Sequence, residues 1–331
     1  MDYQFITTLS ERQYNNFIKG KTFTSYKQEA TWSKTAVTNE IIYVGVTEKK
    51  KIVAAAKIEV RKKKKDVYFE VPGGYILDYD DKELLLFFTK NLHLLAKSKR
   101  AYEIKLDFIS SQEQPLIANM KETGYRSNGK NDLLSQISLK ANGKFLSVKH
   151  FKNVLGTLHI EKDGLFFDTV TSKAELSKLY ETAFNWSHKI HYNLENLLSI
   201  YKGKIAIIVE KLDLIFYLNY LRESYAKEND IVTIEELIEE CGDYYILGFA
   251  IMIFPNNKEN AYCLEMKHNG SFPHLDVSNQ LLLETIKLGL ADKYKGIIYP
   301  HQLTNEDDSY TNYKYKLVTK KWKYIFHKVM K

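Results

Sequence analysis

Cysteine is scarce in this chain of 331 residues: Cys241 and Cys263 are the only two, far apart and without CxxC spacing. That excludes a disulfide framework and a cysteine-based metal site, and it points to a reducing compartment. No segment approaches the roughly 18 uninterrupted apolar residues of a membrane span. The opening stretch, MDYQFITTLSERQYNNFIKG, lacks the basic start and continuous apolar run of a secretory signal, so a cytoplasmic location is expected. No G-x-S-x-G, H-E-x-x-H, P-loop or G-x-G-x-x-G pattern occurs, so none of the chemistries tied to those patterns is indicated.

What is present is an ordinary folded composition, 44% hydrophobic and 27% charged, in a chain long enough for two domains. A net charge of +7 favours polyanionic partners. The lysines cluster in two places. Arg61-Lys62-Lys63-Lys64-Lys65 lies between two strand-like runs and reads as an exposed hairpin tip, a solvated turn first and a contact for tRNA or anionic lipid headgroups second. The C-terminal run interleaves lysines with Trp322, Tyr324 and Phe326 and reads as a half-buried helix over residues 318–331 that packs on the first domain.

Residues 71–107 are the most informative. VPGGYILDYDD (Val71 to Asp81) reads as a strand ending at Gly73-Gly74, followed by an acidic turn at Asp78, Asp80 and Asp81. ELLLFFTKNLHLLAKSKR has the spacing of a helix with one apolar face, and AYEIKLDF alternates as a strand does. The first half reads as helix Glu11 to Lys19, a loop with Trp32, strands 41–46, 51–60 and 67–71, the helix after Asp81, strand 102–108, a short helix 115–122 and strand 133–139. The second half reads as helices 173–184 and 194–201, strands 204–210, 244–254 and 261–267, helix 278–291 and strand 296–299. Between its first two strands, residues 212–240 are helical in pattern. Leu212, Ile215, Leu218 and Leu221 there read as ordinary helix packing rather than a dimer seam, which makes a monomer the expectation.

The segment from Gly73-Gly74-Tyr75-Ile76-Leu77-Asp78-Tyr79-Asp80-Asp81 to Arg100-Ala101-Tyr102 and Asp107 resembles the Fem/Mur family. These are non-ribosomal aminoacyltransferases that move amino acids from aminoacyl-tRNA onto peptidoglycan precursors. In that family a Gly-Pro turn, an LDYxD-like stretch, a helix and a RAYxxxxD strand follow in this order. The resemblance implies an α/β (α+β) fold of two tandem GNAT-like acyltransferase domains, residues 1–147 and 148–317, with a short helical hairpin inserted at about 211–241. It implies aminoacyl-tRNA as co-substrate with no other cofactor and no metal. A lipid-linked or UDP-linked precursor would be the acceptor, with peripheral contact at the inner membrane face.

The resemblance also implies site residues. Asp107 matches the strand-end carboxylate that holds or deprotonates the acceptor amine, a role otherwise open to the plainer reading of a turn residue. Tyr102 matches a substrate-contacting tyrosine, though a strand tyrosine is by default packing. Lys314, in Tyr313-Lys314, matches the lysine implicated in stabilising the transition state, and Gly74 belongs to the turn beside the cleft. Near Trp32 the family has a lysine four residues on; here Ala36 stands there and Lys34 is the nearest base. An arginine expected before the helix at Leu194 is Tyr192, and the basic run before the second domain is reduced to Lys144, Lys149 and Lys152. These departures weaken recognition of a pyrophosphate, for which Lys34, His188, Lys189 and His191 could substitute. Two other functions fit the same fold: a catalytically degenerate binding or immunity protein, and an acyl-CoA-dependent N-acyltransferase. The second needs a Q/R-x-x-G-x-G/A loop, and Lys121 to Tyr125 lacks its second small residue.

Overall fold

A computed structural model of the chain describes residues 2–19, 21, 25–34, 40–110, 114–155, 164–186, 188–190, 192–224, 228–270, 272, 275, 277–300 and 318–330. Strand β1 (Tyr3–Ile6) and helix α1 (Glu11–Ile18) lead to two 3-10 turns, Tyr26–Gln28 and Ala30–Lys34. Strands β2 (Glu40–Glu48), β3 (Lys51–Lys63) and β4 (Asp66–Val71) form a meander, followed by α2 (Lys82–Ser98), β5 (Ala101–Ser110), α3 (Gln114–Glu122) and β6 (Arg126–Ser138). A small hairpin of β7 (Lys140–Ala141) and β8 (Lys144–Phe145) precedes α4 (Val148–Leu155). The second half runs through β9 (Leu165–Thr169), α5 (Lys173–Asn185), α6 (Leu194–Ile200), β10 (Ile205–Asp213), α7 (Leu214–Glu223) and α8 (Glu228–Cys241). It continues with β11 (Tyr244–Ile253), β12 (Asn260–His268), α9 (Val277–Ala291), β13 (Gly296–Tyr299) and β14 (Val318–Val329).

Twelve of these strands form one sheet in the order β1-β2-β3-β4-β5-β14-β6-β13-β12-β11-β10-β9. Each half contains one parallel pair joined through a helix, β4-α2-β5 and β12-α9-β13, and the other pairings are antiparallel. A parallel pair needs such a crossover, because its strands start at the same end of the sheet. In the first half, Leu84, Leu85, Phe88, Leu92 and Ala96 of α2 bury against Ile104, Leu106 and Phe108 of β5. The second half has apolar residues on both sheet faces, packed by α5 and α6 on one side and by α4 and α9 on the other. No helix among the described residues is long and apolar enough to cross a membrane.

The sequence predicted a helix over 318–331, and the structure corrects this: residues 318–329 are β14, inserted between β5 and β6 and antiparallel to both. Tyr324 and Phe326 are fully buried with Phe108 in the α2 core, while Lys323, Ile325 and His327 fall on the opposite face. That is the two-residue period of a strand, and the hydrogen bonds on both its edges stabilise it. The Arg61–Lys65 cluster does form a hairpin tip, with Lys62 to Lys65 exposed at the turn between β3 and β4. Strands β1 and β9 and helix α4 were not anticipated.

Candidate active site

The Gly73-Gly74 turn is held from three sides. Both glycines have positive φ, 77° and 73°. A Cβ on Gly73 would lie 2.7 Å from Gln28 and 2.8 Å from Ser25, and one on Gly74 would fall closer than 3.0 Å to the Phe108 ring. Gln28 Nε2 donates to Gly74 O at 3.1 Å, and the Gly73 N–H donates to Asp107 Oδ1. Only glycine allows this conformation and this approach at once. Asp107 is thereby fixed at the point where β4 ends beside β5, on the β5 face opposite α2.

Two small cavities meet at that carboxylate, sharing Lys27, Asp107 and Lys323 in their walls. One, of about 160 Å³, is lined also by Trp32, Glu59, Arg61, Glu70 and Lys105. The other, of about 190 Å³, reaches into the second half and is lined also by Tyr192, Tyr262, Cys263 and Leu134. The segment 25–34 joins the two halves at this point. Tyr26 packs on Tyr262 with ring centroids 4.9 Å apart, Trp32 on Tyr201 at 5.6 Å, and the Asn256 N–H donates to Glu29 Oε1 at 2.7 Å.

Beneath the first cavity runs a chain of charge along one face of β3. Lys57 Nζ lies 3.3 Å from Glu59, Glu59 lies 3.1 Å from Arg61, and Arg61 reaches Glu70 on β4 at 2.8 Å. Lys57 and Glu59 are buried. Burial pushes the Lys57 ammonium down to about 8, with Glu59 opposing that shift. These paired ions hold the floor of the cleft rigid, since moving either would strand a buried charge.

Of the residues predicted from sequence, Asp107 and Trp32 line the same cavity, Tyr192 lines its neighbour, and Gly74 sits in the turn that positions Asp107. Burial raises the Tyr192 hydroxyl above its ordinary range, with the Glu265 carboxylate adding to the shift. Tyr102 lines neither cavity. It is 50% exposed towards the other end of β5 and packs on Tyr68 with centroids 5.9 Å apart. The backbone of Lys34 ends the second 3-10 turn, and Tyr313, Lys314, Ala36 and His191 lie outside the described residues. His188 is engaged with Glu265 across the second half, and Lys189 is exposed. Sequence reasoning missed Lys27, Lys105, Lys323 and the Lys57 to Glu70 chain. Lys323 was accessible in principle: alternation puts it on the same face as Ile325, which pairs with Asp107.

The arrangement offers one half-buried carboxylate, anchored by a backbone amide and flanked by Lys27, Lys105 and Lys323. Such a site can hold an ammonium group at the carboxylate and oppose negative charge developing nearby. Among the described residues, no cluster of three or more His, Cys, Asp or Glu could hold a metal ion.

Comparison with known proteins fits this geometry. Residues 9–149, which include the Gly-Gly turn, α2 and Asp107, match the family model described as the FemAB family. A search of curated proteins finds no match to the sequence. Among solved structures, one described as FemX superposes with a TM-score of 0.70 at 16% identity, covering 99% of this chain and 97% of that one. A tandem GNAT protein from the clavulanic acid biosynthesis pathway gives 0.54 at 8% identity over 100% and 99%. L-PGS from Bacillus licheniformis gives 0.54 at 12% identity over 96% and 92%. The fold is therefore that of the tandem GNAT-like proteins, and residues 9–149 match the FemAB family.

Proposed function

We propose that this protein is an aminoacyltransferase that moves an amino acid from aminoacyl-tRNA to an amine on the stem peptide of a peptidoglycan precursor. The observation that carries this reading is Asp107. It is a carboxylate fixed by the Gly73 N–H in a cleft shared by both halves, with Lys27 and Lys323 beside it. The tRNA ester is already activated, so the reaction needs no nucleophilic side chain. The acceptor amine attacks the ester carbonyl, a C–N bond forms, the C–O bond to the terminal ribose breaks, and the ribose oxygen leaves with the proton the amine gives up. Asp107 orients the ammonium and takes its proton, and cationic groups stabilise the oxyanion. We assign that second role to Lys314, on its match to the family motif, together with Lys27 and Lys323.

The acyl-CoA alternative is disfavoured by the start of α2. Asp81 caps that helix, accepting from Leu84 N at 2.9 Å, and Asp78 and Asp80 stand exposed just before it. A CoA pyrophosphate placed at this helix N-terminus would meet three carboxylates instead of open amides. The test is incorporation of radiolabelled amino acids from a mixed charged-tRNA pool into lipid II or the UDP-linked pentapeptide, repeated with single amino acids to identify the donor. Absence of incorporation on both acceptors, with folding verified by circular dichroism, moves the assignment to a binding protein on the same fold.

A further inference from the structure

The largest cavity among those described, about 880 Å³, lies away from Asp107, between the outer face of α2 and the ends of β6 and β14. Its walls carry Lys90 and Lys97 on α2, Arg126 on β6 and Lys328 on β14. Among the described residues no carboxylate pairs with any of these four cations. Glu122, the one acid in the lining, is engaged by Lys82 at 3.5 Å. Elsewhere in the protein, Lys99, Lys211, Lys287 and Lys295 each have an acidic partner. The cavity therefore concentrates positive charge that no carboxylate among the described residues pairs with, and burial, with Lys328 and Lys97 beside it, lowers the pKa of the half-buried His93 imidazole.

The same surface is also greasy. Leu86, Lys90, His93, Leu94 and Lys97 recur at four, seven, eight and eleven residues from the first, which puts them in one stripe of α2. The opposite stripe is the one buried in the core. Leu86 is 48% exposed, Leu94 57% and Val329 49%, all three in the cavity lining. Single exposed leucines are unremarkable; three aliphatic side chains ringing four cations without an acidic partner among the described residues, one of them (Lys328) donating to Gly124 O at 3.1 Å, are not a pattern that solvation alone explains. A nucleic-acid groove would set aromatic platforms among its cations. Here the partners of the cations are aliphatic.

We infer that this cavity is a seat for an anionic phospholipid headgroup, which docks the protein on a bilayer with Leu86, Leu94 and Val329 at the acyl boundary. Asp107 lies on the β5 face opposite α2, so a protein seated this way keeps its cleft clear of the membrane plane. The inference does not depend on the transfer reaction, and its test needs no activity.

The full chain is sedimented with phosphatidylglycerol–phosphatidylcholine vesicles and with pure phosphatidylcholine vesicles at physiological salt. The expected result is partitioning to the anionic vesicles alone. Lys90→Gln/Lys97→Gln should weaken it about 25-fold, at roughly fivefold per cation near an anionic surface. Leu94→Asn should weaken it without changing its salt dependence. A hairpin variant, Lys62→Gln/Lys64→Gln, controls for general charge and should change partitioning far less. Failure to partition, equal binding to both vesicle types, or equal losses in the hairpin and cavity variants would overturn the inference. So would loss of RNA binding, but not vesicle binding, in the cavity variant, which would assign the cavity to nucleic acid.

Discussion

Replacing Gly74 with alanine adds one methyl group at the tightest point of the site. Gly74 sits at φ 73°, a region that costs a residue bearing a Cβ about 1–2 kcal/mol. The added carbon would lie closer than 3.0 Å to three atoms of the Phe108 ring. That ring is 1% exposed and has little room to yield, because Tyr79 and Phe326 pack edge-on against it at 5.4 and 5.5 Å. Overpacking of this kind costs about 1–3 kcal/mol. Together the terms give a loss of about 2–5 kcal/mol, a large fraction of the roughly 5–15 kcal/mol that holds a typical domain folded. Urea unfolding followed by circular dichroism reads it as a lower midpoint at unchanged slope. Phe108 follows Asp107 directly, so the displacement should also disturb the carboxylate and lower transfer at denaturant concentrations where the variant is still folded. A loss below about 1 kcal/mol would show that the turn yields easily and that its geometry does not fix Asp107.

Two further outcomes follow from buried polar groups. Tyr75→Phe removes a hydroxyl that meets Tyr125 Oη at 2.9 Å in the α2 core, leaving a buried hydroxyl with a lost partner, and should cost about 1–3 kcal/mol. Tyr75→Phe/Tyr125→Phe should recover part of that in a double-mutant cycle, and strict additivity would contradict the pairing. Burial, with Lys328 and Lys97 nearby, lowers the His93 imidazole to about 4, below the roughly 6.5 of an unfolded chain. Between those values the unfolded state binds more protons, so His93 removes stability as pH falls from about 6.5 to about 4. His93→Leu should narrow the gap between urea midpoints at about pH 7 and about pH 4.5, and an unchanged gap would contradict a lowered imidazole pKa at this half-buried position.

The parts of the fold that were legible in sequence are those fixed by local chemistry. The apolar-periodic run after the acidic turn at Asp78, Asp80 and Asp81 reads as a helix, and the structure adds that Asp81 caps it, its carboxylate accepting from Leu84 N. Gly73-Gly74 reads as a turn because a Cβ is excluded there, which the approach of Gln28 and Phe108 explains. The end of the chain was misread because lysines interleaved with aromatics satisfy a half-buried helix and a strand alike. What decides between them is β5 and β6, some two hundred residues upstream, whose edges β14 joins. Lys27 and Lys323 escaped for the same reason: each comes to line the cavities of Asp107 only through the long-range fold, and nothing beside them in sequence distinguishes them from other lysines. Asp107 was visible only because the order and spacing of its segment resemble a family.

The central claim is that Asp107 handles the acceptor amine in aminoacyl transfer. The most direct measurement compares the wild-type chain with Asp107→Asn, using charged tRNA and lipid II or the UDP-linked pentapeptide, with initial rates taken across acceptor concentrations. Asparagine keeps the size and can still accept from the Gly73 N–H, but it loses the negative charge. The account predicts a fall in turnover of about 100-fold or more, the range for removal of a general base, with unfolding stability little changed. Near-wild-type turnover in folded Asp107→Asn would contradict it.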